Sequence, residues 1–149
     1  MKISAVFSAV FLAICLSGST RDPWNAADLV QPAALAAQLR EGSKAGILHV
    51  GFGMLYRSKH IPGSIYAGPA AKPEGIQHLL DAVKTLDRGA PLILYCGCCP
   101  FDHCPNVRPA FAALTKAGFR NVKVLVIQED FTKDWIDHGY PVEGQTAKQ

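Results

Sequence analysis

Leu92-Ile-Leu-Tyr95 runs directly into Cys96-Gly-Cys-Cys-Pro-Phe-Asp-His-Cys-Pro-Asn-Val-Arg108, and the reading of this stretch decides the fold. A short apolar run bounded by Pro91 and a Gly/Cys loop predicts a buried strand. Asn106 to Ala117, stopped by Gly118, predicts the helix that follows. Cys96 is thereby expected at the carboxyl end of a strand, facing a helix start. In open α/β sheets that edge is where ligands bind, and the free N–H groups of a helix N-terminus favour thiolates and oxyanions.

Outward from this centre, strands and helices alternate. Leu29-Val30 predicts a brief strand, Pro32 to Leu39 a helix with proline in its first turn, and Ile47 to Val50 a strand broken by Gly51-Phe-Gly53. Pro62-Gly63 marks a turn before a short strand at Ile65-Tyr66. Ile76, Leu79, Leu80 and Val83 fall on one face of a helix, by their i, i+3, i+4, i+7 spacing. Val122 to Ile127 is apolar at nearly every position, as strands covered on both faces are, and Phe131 to His138 predicts a last helix ended by Gly139 and Pro141. The expected architecture is a three-layer α/β domain with a central, mainly parallel sheet and helices on both sides.

The chain has 149 residues and a formal net charge of +3, with no Lys/Arg cluster, which argues against a nucleic-acid partner. Met1-Lys2, the apolar stretch Ile3 to Leu16 and the small residues Ser17 to Thr20 have the form of a signal peptide. About 14 apolar residues fall short of the ~20 that span a membrane, so no stable span is expected after processing. The division expected is a leader at 1–19, a polar linker at 20–27 and one domain at 28–149, exported to the periplasm or beyond and monomeric. Leu12-Ala-Ile-Cys15 also resembles a bacterial lipoprotein box, with Ile14 where that box takes a small residue, so lipidation at Cys15 is the variant of the same expectation.

Three segments in order resemble the rhodanese-like family: His60-Ile-Pro-Gly-Ser-Ile65 preceded by Tyr56, then Leu92-Ile-Leu-Tyr-Cys96, then Ala117-Gly-Phe-Arg-Asn-Val-Lys-Val-Leu125 with Trp135, Gly139 and Pro141 beyond. The resemblance spans roughly Leu29 to Gly144. It implies a sulfurtransferase fold in which Cys96 takes a sulfane sulfur as a persulfide from a small sulfur-containing donor and passes it to a thiol or cyanide. It also implies that Arg108 is the basic residue ending the active-site loop. Cys96 and Arg108 are therefore the expected catalytic pair, with Gly97, Cys98, Cys99 and His103 expected at the substrate and no cofactor required. The helix start and Arg108 are expected to lower the Cys96 pKa below the ~8.5 of a free thiol.

This chain departs from the family in three places. Eleven residues separate Cys96 from Arg108, a longer loop than the family's. His49-Val50-Gly51 stands where the family has Asp-Val-Arg, and Gln128-Glu129-Asp130 where it has Gly-Gly before the last helix.

The loop residues themselves leave other uses open. Cys98, Cys99, His103 and Cys104 are soft ligands at close spacing that suit zinc or copper. In an oxidising compartment Cys96–Cys99 or Cys99–Cys104 disulfides are equally available. Asp102 or His103 is also read as a base or hydrogen-bond partner for a thiol. His60 is read as a structural hydrogen-bonder, His49 as a core histidine, and Phe131 and Trp135 as core.

Overall fold

The computed structural model describes residues 22–144. The leader, Cys15 and the cleavage site lie outside the described residues.

Five strands form one all-parallel sheet: β1 (Leu29–Val30), β2 (Gly46–His49), β3 (Ile65–Tyr66), β4 (Leu92–Tyr95) and β5 (Val122–Leu125). Their order is β1-β5-β4-β2-β3, so β4 is the middle strand and is buried at all four positions. Its register sets Leu94 beside Leu48 and Val124, and Tyr95 beside His49. Four α-helices connect the strands: α1 (Pro32–Arg40), α2 (Gly53–Ser58), α3 (Pro73–Val83) and α4 (Val107–Lys116).

Side chains alternate across the sheet with the period of two that a pleated strand imposes. Leu48, Leu92, Leu94, Val122 and Val124 point to one side and pack with Leu79 and Val83 of α3 and Val107, Phe111 and Leu114 of α4. Ile47, Ile93, Tyr95 and Leu125 point to the other and pack with Leu35 of α1, Ile61, Phe131 and Trp135. Both faces are thus covered, as expected for strands apolar at every position. Among the described residues no helix is long and apolar enough to cross a membrane.

Several local expectations change. On α3 the fully buried positions are Gly75, Leu79 and Val83, with Leu80 only half-buried. Gly75 lies so close to the Pro69 carbonyl that a Cβ would stand 1.9 Å from its oxygen, so only glycine fits there. Helix α2 was not expected, because it carries no apolar period and buries no residue. The closing helix is a π-helix, Thr132–Ile136, whose Trp135 Nε1 donates to the Pro141 carbonyl at 2.8 Å. Trp24, inside the segment read as linker, is buried and meets Phe111 edge-on at 5.7 Å between centroids.

Candidate active site

The cysteine loop leaves β4 at Cys96, which is 2% exposed. Gly97 follows at φ 80°, a conformation that favours glycine, and a Cβ there would stand 2.9 Å from Phe131 Cβ. Its carbonyl accepts the Phe131 N–H at 3.0 Å, and the Phe101 N–H donates to the Ile127 carbonyl at 2.8 Å. These two bonds pin the loop to the chain after β5. The turn then curls inward, with Cys104 N–H on the Phe101 carbonyl, and returns the fully buried Cys104 towards Cys96 just before α4 begins.

The result is a group of free thiols. Cys96, Cys98 and Cys104 have their Sγ atoms within 4.8 Å of one another. Cys98 Sγ is 3.1 Å from Cys96 Sγ and 3.1 Å from Cys99 Sγ. The buried Asn106 donates from Nδ2 to Cys96 Sγ at 3.5 Å.

Charge in this group sits elsewhere than expected. The Cys104 pKa is lowered to about 5, first by the facing Cys96 thiol and then, against the cost of burial, by the backbone N–H groups of Asn106 and Val107 and the Cys99 thiol. The Cys96 pKa is pushed up instead, by Cys104 above all, then by burial and by Cys98. The Cys99 pKa is pushed up by burial first. The helix start therefore stabilises a thiolate on Cys104, and Cys96 is the thiol that faces it.

Arg108 does not correct this balance. Its Nε donates to Asp22 Oδ1 at 2.9 Å, its Nη2 binds the same oxygen, and its guanidinium lies 5.5 Å from the centroid of the Trp24 ring. The guanidinium thus fastens the segment before β1 and spends its charge there. His103, expected at the substrate and among the metal ligands, is 82% exposed in its side chain and pairs with Asp102 at 2.9 Å. It stands outside the close-set thiols, because the inward turn of the loop carries Cys104 in and leaves the preceding side chain in solvent. The soft donors the structure brings together are Cys96, Cys98 and Cys104, a set whose chemistry fits a soft ion.

Cys96 and Gly97 also line a pocket of about 270 Å³ with His49, Lys59, Phe131 and Thr132. Cys104 is not among its walls. His49, on β2, is buried edge-on against Tyr95 at 4.9 Å between centroids, and burial lowers its pKa to about 4. His60 meets the Tyr56 carbonyl through Nδ1 at 2.7 Å and stacks on the Tyr56 ring, the structural part expected of it. Tyr95 Oη accepts the Ile61 N–H at 3.1 Å, which holds the His-Ile-Pro-Gly turn over the pocket side of the sheet.

Three residues of the site were not singled out from sequence: Gly51, Lys59 and Asn106. A Cβ on Gly51 would stand 2.8 Å from both the carbonyl oxygen and Sγ of Cys96, so glycine there lets β2 and β4 close around the thiol. For Asn106 the available signal was its place just ahead of a helix and two residues after a cysteine.

No protein-family model and no curated protein matches the chain. Solved structures do. The BH2092 protein from Bacillus halodurans superposes with a TM-score of 0.61 at 26% identity, over 77% of this chain and 75% of that one. The rhodanese-like domain of the Alr3790 protein from Anabaena sp. superposes at 0.59 and 22% identity, over 82% and 86%. Thiosulfate sulfurtransferase from Pseudomonas aeruginosa does so at 0.56 and 19% identity, over 80% of this chain and 21% of that one. What the likenesses have in common is the fold.

Proposed function

Since this chain is a rhodanese-like domain by fold, we propose that it is a sulfurtransferase carrying sulfane sulfur as a persulfide on Cys96. One observation supports the reading above the rest: Cys96 ends the middle strand at its carboxyl edge and is the cysteine on the pocket wall.

The chemistry follows from the thiol pair. A donor such as thiosulfate or a small-molecule persulfide enters beside Lys59, whose ammonium favours an anion. Cys104 takes the Cys96 proton as Cys96 Sγ attacks the donor's sulfane sulfur. The new S–S bond forms on Cys96, the donor's own S–S bond breaks, and sulfite or a thiolate leaves with the electron pair. A thiol or cyanide acceptor then attacks the outer sulfur. Cys96 and Cys104 thus share one proton across a short contact, and its passage to Cys104 leaves the attacking thiolate on Cys96. The same proposal takes residues 1–19 as a leader that directs this chemistry outside the cytoplasm.

The test is to incubate reduced, metal-free protein with thiosulfate or glutathione persulfide, then measure transfer and intact mass. A persulfide on Cys96 that Cys96→Ser abolishes is expected. If no donor loads Cys96 while the protein binds zinc or copper(I) through Cys96, Cys98 and Cys104, the sulfur-transfer reading is wrong and a soft-metal site replaces it.

A further inference from the structure

We infer that Cys104 resolves the Cys96 persulfide, attacking Cys96 Sγ to expel the outer sulfur as hydrosulfide and leave a Cys96–Cys104 disulfide. This rests on the reading of Cys96 as the sulfur carrier. It adds to that reading an intramolecular exit for the sulfur and a product, so that the protein acts as a dithiol-dependent reductase of sulfane sulfur.

The geometry supplies the two sides that such a displacement needs. The pocket wall beside Cys96 is built from His49, Phe131 and Thr132, and Phe131 belongs to the apolar cluster on one side of the sheet. Cys104 is fully buried in the cluster on the other side, with Val107 of α4. An outer sulfur on Cys96 has room in the pocket, while Cys104 approaches from the core. Cys96 packs in that same cluster with its Sγ within 4.8 Å of Cys104 Sγ and also lines the pocket, so one sulfur is open both to an attacker from the core and to a leaving sulfur on the pocket side. External acceptors reach only the pocket side, through a thiol that is 2% exposed.

Atoms and electrons balance with what the site holds. Loading leaves the proton on Cys104 and a persulfide anion on Cys96. That proton returns to the outer sulfur, giving Cys96–S–SH facing a Cys104 thiolate. Cys104 Sγ then bonds to Cys96 Sγ, the Cys96–sulfur bond breaks, and the outer sulfur departs as HS⁻ with its proton. Two cysteine sulfurs are oxidised by one electron each and the sulfane sulfur is reduced by two. A small external dithiol restores both thiols by exchange.

Cys98 is the competitor, at 3.1 Å from Cys96 Sγ. It stands two residues from Cys96, so their bridge closes a very small ring, and it lies on the half-buried part of the loop. Cys104 closes a wider ring and is held at the helix start, where the Asn106 and Val107 N–H groups face its sulfur.

The experiment uses the full chain, reduced and then freed of reductant, with glutathione persulfide added in equimolar amount. Released sulfide, intact mass and the disulfide map are read together. Wild type is expected to release sulfide stoichiometrically, to map a Cys96–Cys104 disulfide, and to turn over repeatedly only when dithiothreitol is present. Cys104→Ser, held with excess donor until Cys96 is loaded and then freed of donor, is expected to keep the persulfide on Cys96, with sulfide release per loaded Cys96 lowered about tenfold or more. Wild-type protein that loads Cys96 but keeps the persulfide, or that maps its disulfide to Cys98, overturns the inference and leaves the sulfur-carrier reading standing. Wild-type protein that never loads Cys96 overturns the sulfur-carrier reading, and the inference with it.

Discussion

Asn106 donates its side-chain N–H to Cys96 Sγ at 3.5 Å while its Oδ1 accepts the Ala71 N–H at 2.9 Å. One buried amide thus ties the residue before α4 to the end of β4 and to the loop before α3. Asn106→Ala leaves the Ala71 N–H without its partner and removes a donor from the reactive sulfur. Ala71 is exposed and its N–H can turn to water, so the expected cost is about 0.5–1.5 kcal/mol, the net worth of an ordinary hydrogen bond. Urea unfolding should show a lower midpoint at unchanged slope, together with slower loading of Cys96. An unchanged midpoint and an unchanged loading rate would remove Asn106 from the site.

How much of this was legible in the sequence depended on whether the signal was local. The strand Leu92–Tyr95 is apolar at every position and bounded by Pro91 and a cysteine loop, so its burial and central place could be read directly. The parallel sheet followed from the alternation of strands and helices. Cys104 could not be ranked above its neighbours, because its ionisation depends on a turn that brings it to Cys96 and on the N–H groups of Asn106 and Val107. The pairing of Arg108 was out of reach of the sequence for a similar reason. Its partner Asp22 lies 86 positions away, and no spacing rule reports such a pair.

Acid stability should carry the mark of His49. Burial first, and the His60 charge second, hold its pKa down to about 4 from an ordinary 6.5. Between these values the unfolded chain binds a proton that the folded chain does not. Stability therefore rises with pH through this window and falls as the solution is acidified across it. The full shift is worth up to about 3 kcal/mol. Unfolding free energies measured from pH 7 to pH 4 should drop accordingly, and His49→Phe should flatten that stretch of the curve. If the variant shows the same slope as wild type, His49 is not the group responsible.

Arg108→Ala should leave sulfur loading close to wild type, because the guanidinium is engaged by Asp22. Both partners are more than a third exposed or nearly so, and solvent screening limits the cost to about 1 kcal/mol or less. The readout that should move is local: Trp24 loses the ring contact at 5.5 Å, and amide exchange over 22–28 should quicken. Loss of sulfur transfer with unchanged exchange would return Arg108 to the catalytic role its position in the loop first implied.

Gly51 offers the sharpest test of how closely β2 and β4 meet around the thiol. Its N–H reaches His49 Nδ1 at 3.3 Å, and the next hydrogen bond back along the strand is Val50 N–H to the Tyr95 carbonyl at 2.8 Å. The backbone leading into Gly51 is thus tied at two successive N–H groups and has little freedom to retreat. An added Cβ would stand 2.8 Å from the Cys96 carbonyl oxygen, 2.8 Å from its Sγ and 3.0 Å from His49 Cε1. Gly51→Ala must therefore push β4's end away, at an expected cost of about 1–3 kcal/mol, the range for overpacking a well-filled core. Loading of Cys96 should slow in the same variant, because the displaced atoms include the sulfur. In a Cys96→Ala background one of the three close contacts is gone, so the stability penalty of Gly51→Ala should shrink and the two changes should be non-additive. Full additivity in that double-mutant cycle would mean that Gly51 and the Cys96 sulfur do not press on one another.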